Sequence, residues 1–303
     1  MIKPPALQEG DRVAVIAPAD PPDREKLIQG IHVMEKMGLN VVTGRHVYDI
    51  EGDDLATVDQ KRLADLHDAF SDPGIRGVFC AEGGFGTARI APMVDYSIIQ
   101  KNPKIFWGYS DITYLLNAIQ NQSDLVAFHG PMLASDLNDE QRTAKTEATF
   151  LPLFTGEALT YDSRIAPLNT LAHGTGEGRL VGGNLTLLAT GMGTPFQVKA
   201  SGNILLIEEV AEPSYRINAM LTQLKQAGVF DEVEGVVIGN FQAEPDEYAK
   251  IKKVLQDFFI SAPFPVVENF PIGHCQPNYG VPIGVNAKLT TSPPRLAVDS
   301  GVM

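Results

Sequence analysis

The chain has 303 residues, of which 44% are hydrophobic and 20% are charged, so it is long enough for one large globular domain or two of ordinary size. Its 24 basic and 37 acidic residues give a formal net charge of −13, which disfavours nucleic acid and anionic membranes as partners. The sequence shows no secretion signal, no apolar stretch of about 20 residues and only two cysteines, Cys80 and Cys275. These features predict a cytoplasmic enzyme without a disulfide framework.

Short β-branched runs alternate with helical patterns through the first half of the chain. The predicted strands cover 12–18, 39–44, 75–84, 104–109 and 125–131. Apolar residues recur at helical spacing in segments between them, at 24–38, 58–73 and 110–122. Repeated β-α-β units of this kind predict an α/β fold in which helices cover both faces of a parallel sheet.

The second half of the chain begins after a polar, irregular passage. We predict an N-terminal domain over 1–150, a linker over 151–175 and a C-terminal domain over 176–303. In the last of these, GNILLIEEV is typical of a buried strand, SYRINAMLTQLKQAGVF of an amphipathic helix, and AKLTTSPPRLAVDSG of a closing pair of strands. The alternation predicts a second α/β domain.

The segment KIFWGYSDITYLL, residues 104–116, places Ser110 where a predicted strand gives way to a predicted helix. Serine is a favoured helix N-cap, and that structural role is enough to explain it. A strand-turn-helix elbow would instead present the hydroxyl at the carboxyl ends of the strands, beside the N–H groups and positive dipole end of the helix. The segment lacks the second glycine of the usual G-x-S-x-G elbow, so the residues around Ser110 leave both roles open.

Three glycines, Gly83, Gly84 and Gly86, follow the third predicted strand in CAEGGFGTARI. A tight turn explains them without any ligand. A dinucleotide fingerprint is disfavoured, because Arg89 stands where its last glycine belongs and the segment after the first strand is APADPPD. A third interpretation is that a glycine N–H faces Ser110 as one arm of an oxyanion hole, since consecutive strands of a parallel sheet are often neighbours.

Acids and histidines at later strand ends are further candidates. Glu208 and Glu209 end the strand NILLIEEV, and alternation puts their side chains on opposite faces, so at most one of them can point into a site. His274 follows a strand in FPIGHCQPNYG, and His129 in AFHGP is its rival; each taken alone is more often structural. The sequence has no H-E-x-x-H motif and no clustered Cys/His pairs, so we expect no metal site.

Taken together, these stretches resemble the LD-carboxypeptidase family of serine peptidases, which includes the microcin C immunity peptidases. The resemblance runs from GDRVAVIAP to IGVNAKL, and its landmarks in order are EGGFGTARI, NPKIFWGYSDIT, FHGPM, GRLVGGNLTLL, GTPF, LLIEEVAEPSYRINAMLTQL and FPIGHC. Carried over position by position, the resemblance implies Ser110 as nucleophile, Glu208 as acid and His274 as base. It also implies an oxyanion hole formed by the backbone N–H groups of Gly84 and Asp111.

The resemblance carries further expectations about the whole molecule. It implies a Rossmann- or flavodoxin-like N-terminal domain, a C-terminal domain that holds the glutamate and the histidine, and a homodimer that needs no cofactor. The substrate would be a muropeptide, a small peptide from which the enzyme releases a terminal D-alanine bonded to the L-centre of meso-diaminopimelate or L-lysine. The immunity peptidases instead cleave an aminoacyl-nucleotide amide.

One position departs from the family pattern. The glycine loop of the family usually begins Arg-Gly-Gly, whereas this chain has Glu82-Gly83-Gly84. An acid in place of a base would change how a substrate carboxylate is held, because like charges repel. Glu82 and Gly83 are therefore candidate substrate contacts, and the substrate could differ while the triad stays the same. A non-catalytic ligand-binding protein on the same scaffold, with Ser110 as a cap only, is the third hypothesis.

Overall fold

Strands and helices alternate through the first half of the chain in the computed structural model, which describes residues 1–50, 52 and 54–303. The elements in order are β1 (Arg12–Ile16), α1 (Arg24–Lys36), β2 (Asn40–Thr43), α2 (Leu55–Ser71), β3 (Ile75–Cys80), α3 (Thr87–Ile90), α4 (Tyr96–Lys101), β4 (Ile105–Gly108), α5 (Thr113–Ser123), β5 (Ala127–His129), α6 (Leu133–Asp136), α7 (Ala144–Ala148) and α8 (Pro152–Thr155). Single 3-10 turns lie at Ala91–Met93 and Ser110–Ile112. Aspartate side chains cap α1 and α2 by accepting from backbone N–H groups in the first turn.

The second half of the chain adds nine strands and three helices within the described residues. They are β6 (Leu159–Asp162), β7 (Asn169–Ala172), β8 (Thr175–Asn184), α9 (Leu185–Gly191), β9 (Ile204–Val210), α10 (Ser214–Gln226), β10 (Gly235–Gln242), α11 (Pro245–Phe259), β11 (Val266–Glu268), β12 (Val281–Ile283), β13 (Asn286–Thr291) and β14 (Pro294–Val298). Helix α10 buries Ile217, Leu221 and Leu224, which recur at the spacing of one helix face. None of the described helices combines the length and the apolar character that crossing a bilayer requires.

The first sheet has six strands in the order β2-β1-β3-β4-β5-β12. Strands β1 to β5 are parallel, and β12 pairs antiparallel with β5 at one edge. The order 2-1-3-4-5 is that of flavodoxin-like folds, which confirms the predicted fold of this half. In such sheets ligands bind where the strand order reverses, here between the carboxyl ends of β1 and β3.

The second sheet has eight strands in the order β6-β14-β13-β8-β9-β10-β11-β7. Its central strands β8 to β11 are parallel, and antiparallel strands lie at both edges. Residues 151–175, which the sequence suggests as a linker, contain regular structure. They supply β6 and β7 at the two edges of this sheet. Tyr161 and Ala172 are the buried residues of these edge strands, while the other residues of both strands stay at least partly exposed.

The two halves of the chain are interleaved, because β12 comes late in the sequence yet belongs to the first sheet. Its residue Val281 pairs with His129 of β5. The divisions at 150 and 176 remain predictions. The crossing strand means that the end of the chain helps to build the sheet that carries Ser110.

The single tryptophan fixes the end of β4 in the core. Trp107 is 1% exposed and its ring lies 4.6 Å from that of Phe150 and 5.9 Å from that of Phe128. Its indole N–H donates to the carbonyl of Pro131 at 2.7 Å, so the one polar atom of the ring is satisfied. Burial of this ring one residue before Gly108 holds the strand end that leads to Ser110.

Candidate active site

Ser110 lies on a strained turn between β4 and α5. Its φ is 62°, in the left-handed region that non-glycine residues rarely adopt and that costs roughly 1–3 kcal/mol. The residue begins a 3-10 turn, and α5 itself starts only at Thr113. Its hydroxyl bonds a histidine rather than serving as an ordinary helix cap. The turn therefore presents Ser110 at the carboxyl end of β4 as an elbow would.

His274 and Glu208 come together with Ser110 at this turn. His274 Nε2 lies 3.1 Å from Ser110 Oγ, and His274 Nδ1 lies 2.7 Å from Glu208 Oε2. These are hydrogen-bond distances for a nucleophile, a base and an orienting acid. The three residues lie on β9, on the loop after β11 and on the turn after β4, so both sheets contribute to the constellation.

The loop that carries His274 is shaped around Glu208. Gly273 has φ 100°, and a Cβ at this position would meet Glu208 Oε2 at 2.4 Å, so only glycine fits. The Gly273 N–H donates to Asn278 Oδ1 at 3.0 Å, and Asn240 Nδ2 donates to the His274 carbonyl. These bonds hold the backbone on both sides of the imidazole, which fixes the ring against the acid.

Glu208 and Glu209 point to opposite faces of β9, as strand alternation predicts. Glu209 accepts hydrogen bonds from Asn184 Nδ2 at 3.0 Å and from the Thr186 N–H at 2.8 Å. Glu208 is 0% exposed and reaches His274. The second acid therefore secures the start of α9, while the first faces the candidate site.

Burial and charge act against each other in the Glu208–His274 pair. Burial by itself raises the pKa of Glu208, but the charge and hydrogen bond of His274, together with the nearby imidazole of His129, outweigh it and hold that pKa well below the usual range. Burial likewise lowers the pKa of His274, and the Glu208 carboxylate more than compensates, so the pKa of the imidazole is raised. The pair thus favours an ionised acid beside a base that binds a proton readily.

A cleft of about 370 Å³ opens above Ser110. It is lined by Asp20, Pro21, Glu82, Gly83, Gly84, Tyr109, Ser110, Met132, Ser135 and His274. Asp20 follows β1 and the glycines follow β3, so the cleft lies at the reversal of strand order. Burial, together with the charge of Asp20, raises the pKa of Glu82. The cleft floor is therefore acidic next to the candidate nucleophile.

The glycine loop and the start of the 3-10 turn both lie beside Ser110. Asp111 follows Ser110 directly, and Gly84 lies in the cleft wall. Within the part of the chain that the structure describes, neither backbone N–H donates a hydrogen bond. Two unengaged N–H groups beside a serine are what an oxyanion hole requires.

Buried polar contacts hold the glycine loop in place. The Asp111 carboxylate accepts from the Thr87 N–H at 2.9 Å, and the Thr87 hydroxyl donates to the Asp111 carbonyl at 2.6 Å. Arg62 is 5% exposed and donates to the Ala19 carbonyl at 2.6 Å and the Phe85 carbonyl at 3.0 Å. The guanidinium therefore ties the loop after β1 to the glycine loop. The Asp111 carboxylate points away from the cleft, so only its backbone is available to a substrate.

The structure brings Ser110, His274 and the glycine loop to this cleft, with Glu208 behind His274. Glu209 faces away from it, toward the start of α9. Arg62 and Asp20 are not among the residues singled out in the sequence. Arg62 has no sequence signal, since a basic residue on a helix is ordinarily solvent-exposed. Asp20 could have been found, because APADPPD follows the first strand of a sheet whose order reverses beside it. His129, which the sequence offers as the rival of His274, lies buried against Glu208.

Comparison with known proteins places the chain in a family. A model of the LD-carboxypeptidase N-terminal domain matches residues 13–130, and a model of the LD-carboxypeptidase C-terminal domain matches residues 177–289. A probable murein peptide carboxypeptidase of Bacillus subtilis (strain 168) is 43% identical over 304 residues, covering 99% of this chain and 95% of its own.

Two solved structures are similar over nearly the whole length. An MccF-like protein from Bacillus anthracis superposes with a TM-score of 0.90 at 25% identity, covering 99% of this chain and 100% of its own. Muramoyltetrapeptide carboxypeptidase from Oxalobacter formigenes superposes with a TM-score of 0.81 at 28% identity, covering 96% and 98%. Because two domain models match more than half of the chain in the expected order, the chain belongs to the LD-carboxypeptidase family.

Proposed function

We propose that this chain is a serine LD-carboxypeptidase whose triad is Ser110, His274 and Glu208. The observation that carries the proposal is the pair of contacts at 3.1 Å from Ser110 Oγ to His274 Nε2 and at 2.7 Å from His274 Nδ1 to Glu208 Oε2. Serine at its ordinary pKa is a weak nucleophile and needs an adjacent base. The strained φ of Ser110 and the buried acid behind His274 support the same assignment.

The chemistry follows from the positions of these groups. Ser110 Oγ attacks the carbonyl carbon of the scissile amide while His274 Nε2 takes the hydroxyl proton. When the C–N bond breaks, His274 gives that proton to the departing amine, and an acyl-enzyme remains on Ser110. Water then repeats the sequence and frees the acid product. Glu208 keeps the imidazole oriented and stabilises it when it carries the proton.

The backbone N–H groups of Gly84 and Asp111 would stabilise the developing oxyanion. Both belong to elements that buried contacts hold in place, so they need no rearrangement when charge develops. A single donor of this kind is worth roughly 2.7–4 kcal/mol in the transition state. Gly84 has φ 117°, a conformation that glycine adopts freely and that lets the backbone itself face the cleft.

The substrate class follows from the family and from two relatives named for muropeptide cleavage. We propose that the enzyme releases the terminal D-alanine of a muropeptide tetrapeptide, with no cofactor. Purified enzyme incubated with such a tetrapeptide should liberate D-alanine, and EDTA should leave the rate unchanged. Ser110→Ala should abolish release, whereas Ser71→Ala, at the exposed end of α2, should behave as wild type. Full activity of Ser110→Ala would refute the proposal.

A second candidate substrate is an aminoacyl-nucleotide amide. The observation that favours it is the acidic cleft, where Asp20 and Glu82 stand beside Ser110 and disfavour a substrate carboxylate. A panel that compares the tetrapeptide with aminoacyl-sulfamoyl-adenosine separates the two by their kcat/KM values. If the chain is a non-catalytic binding protein, neither compound is turned over. In that case a fluorophosphonate also does not label Ser110 at a rate that depends on His274.

We also propose a cytoplasmic homodimer. The support is the family resemblance for the dimer and the composition of the chain for the compartment. Light scattering at several concentrations tests the first, since a dimer should give about twice the monomer mass of 32.8 kDa. Fractionation of the native host tests the second.

A further inference from the structure

His129 lies at the junction of the two halves of the molecule. It ends β5, where its backbone pairs with Gly108 of β4 and Val281 of β12, and its side chain is 0% exposed. The ring extends toward the second sheet, because a Cβ on Gly183 of β8 would lie 3.3 Å from His129 Cδ2. Gly183, with φ 138°, lets β8 approach the imidazole closely. The ring thus crosses from the sheet of the nucleophile to the sheet of the acid.

The imidazole faces the back of the catalytic acid. His129 Nε2 lies 3.7 Å from Glu208 Oε1, while Glu208 Oε2 is engaged by His274. Within the described residues, Glu208 Oε1 and both ring nitrogens of His129 have no hydrogen-bond partner. A buried polar group left without a partner costs about 1–3 kcal/mol, so such groups are rare without a reason. Here His129 Nε2 and Glu208 Oε1, both without a partner, face each other.

We propose that His129 is a positioning residue of the active site, directing its Nε2–H at Glu208 Oε1 so that the carboxylate stays ionised and aims Oε2 at His274. The proposal rests on the proposed triad. His129 acts through Glu208 and touches none of the reacting atoms, so it is not itself a catalytic residue. It would also couple the two sheets, since Ser110 belongs to one and Glu208 to the other.

The tautomer and the pH profile distinguish this role from simple packing. The charged or titratable groups around the Glu208–His274 pair are Glu209 on β9, Asp136 on α6, Tyr109 before the 3-10 turn and Cys275 after the base. These groups stay in place when His129 is changed. Removal of the His129 donor leaves the charge of Glu208 less compensated, so the protonated form of His274 gains stability. The acid limb of kcat/KM, which reports the base of the free enzyme, then moves to higher pH.

Two substitutions distinguish the effect of the His129 N–H donor from the effect of the side chain's volume. His129→Gln keeps an N–H donor near the position of Nε2, whereas His129→Leu fills similar space without one. The experiment measures D-alanine release and fluorophosphonate labelling of Ser110 as functions of pH, with thermal unfolding as the folding check. We expect His129→Leu to lose about 10–100-fold in kcat at nearly constant KM, with the acid limb shifted upward, and His129→Gln to recover most of the rate. A leucine variant with the wild-type profile, or a glutamine variant no better than leucine, overturns the proposal.

A second measurement needs no variant. Nitrogen-detected NMR of the imidazoles in the wild-type protein should show that the neutral His129 ring carries its hydrogen on Nε2. A His129 with hydrogen on Nδ1 alone would overturn the proposal even if His129→Leu failed to fold. The two hypotheses fail differently: wild-type protein that neither releases D-alanine nor labels at Ser110 refutes the proposed function, whereas the tautomer of His129 is read independently of any substrate.

Discussion

Gly83 lies against Ser110 so closely that a Cβ on the glycine would stand 2.9 Å from Ser110 Cβ and 3.0 Å from Ser110 Oγ. The glycine loop is thus held at contact distance from the proposed nucleophile, and the lack of a side chain is what permits the approach. Any larger residue must move either the loop or the serine. The distance between them controls both the path to His274 and the placement of the neighbouring Gly84 N–H.

Gly83→Ala should therefore lower activity without unfolding the protein. A displacement of about 1 Å in the nucleophile or the oxyanion donors can cost on the order of 100-fold in rate, so we expect kcat to fall by about 10–100-fold. Steady-state kinetics on a muropeptide tetrapeptide measure the change. Gly191→Ala is the matched control, because a Cβ at this helical glycine meets only ordinary contacts at 3.7 Å or more. Equal activity of the two variants would contradict the close approach.

Glu208→Gln should preserve the shape of the acid and remove its charge. The imidazole then loses the partner that raises its pKa, and the neutral amide can favour the wrong tautomer. We expect kcat to fall by about 10³–10⁴-fold and the pKa of His274, followed by NMR, to move downward. Glu209→Gln serves as control on the opposite face of β9, where the change should affect stability more than catalysis. An unchanged titration of His274 in the Glu208 variant would rule out the proposed pairing.

The buried carboxyl of Asp136 should make the stability of the protein depend on pH. Burial raises the pKa of this carboxyl to about 6, although the Met132 N–H, Asn278 and Tyr109 partly offset burial. A raised folded-state pKa means that the folded protein holds the proton more tightly than the unfolded chain, whose carboxyl has a pKa near 3.8. The contribution to stability is fully present below the unfolded value and is lost as the pH rises through about 6.

Asp136→Asn should remove that pH dependence. Between pH 4 and pH 6, Asp136 changes the free energy of unfolding by about 3 kcal/mol in total. This change should disappear in the variant. Urea unfolding at half-unit pH intervals measures it. The control is Asp257→Asn, where the carboxylate is exposed and pairs with Lys253 at the surface. A variant curve parallel to that of the wild type across this window would count against a raised pKa.

Glu82→Arg tests the acid in the cleft. Replacing a half-buried carboxylate beside Asp20 by a cation should improve the binding of a substrate that ends in a carboxylate. We expect KM for the tetrapeptide to fall on the order of 10-fold, with a smaller gain at high salt because screening weakens the attraction. Glu82→Gln should give an intermediate value. If neither variant changes KM at low salt, Glu82 does not face the substrate carboxylate.

Much of the fold was predictable from local pattern. The five parallel strands of the first sheet are β-branched runs between helical segments, and their periodicity reflects burial on both faces. The alternation in NILLIEEV was enough to predict that the side chains of Glu208 and Glu209 lie on opposite faces of the strand. For the glycines at 83 and 84 the local pattern left a tight turn and a loop facing Ser110 both open, and the close approach of Gly83 to Ser110 is a fact of the tertiary structure.

The sequence by itself determined the parallel strands of the first sheet and the longer helices between them, and the family resemblance assigned Ser110, Glu208 and His274 to a triad. Only the tertiary structure decided that these residues meet, that β12 returns to the first sheet, and that His129 from one sheet stands behind the acid of the other. The physical reason is the distance along the chain over which each kind of interaction acts. Periodicity and turn chemistry act over a few residues, whereas strand order and register decide which distant strand ends meet, and those depend on packing of the whole chain.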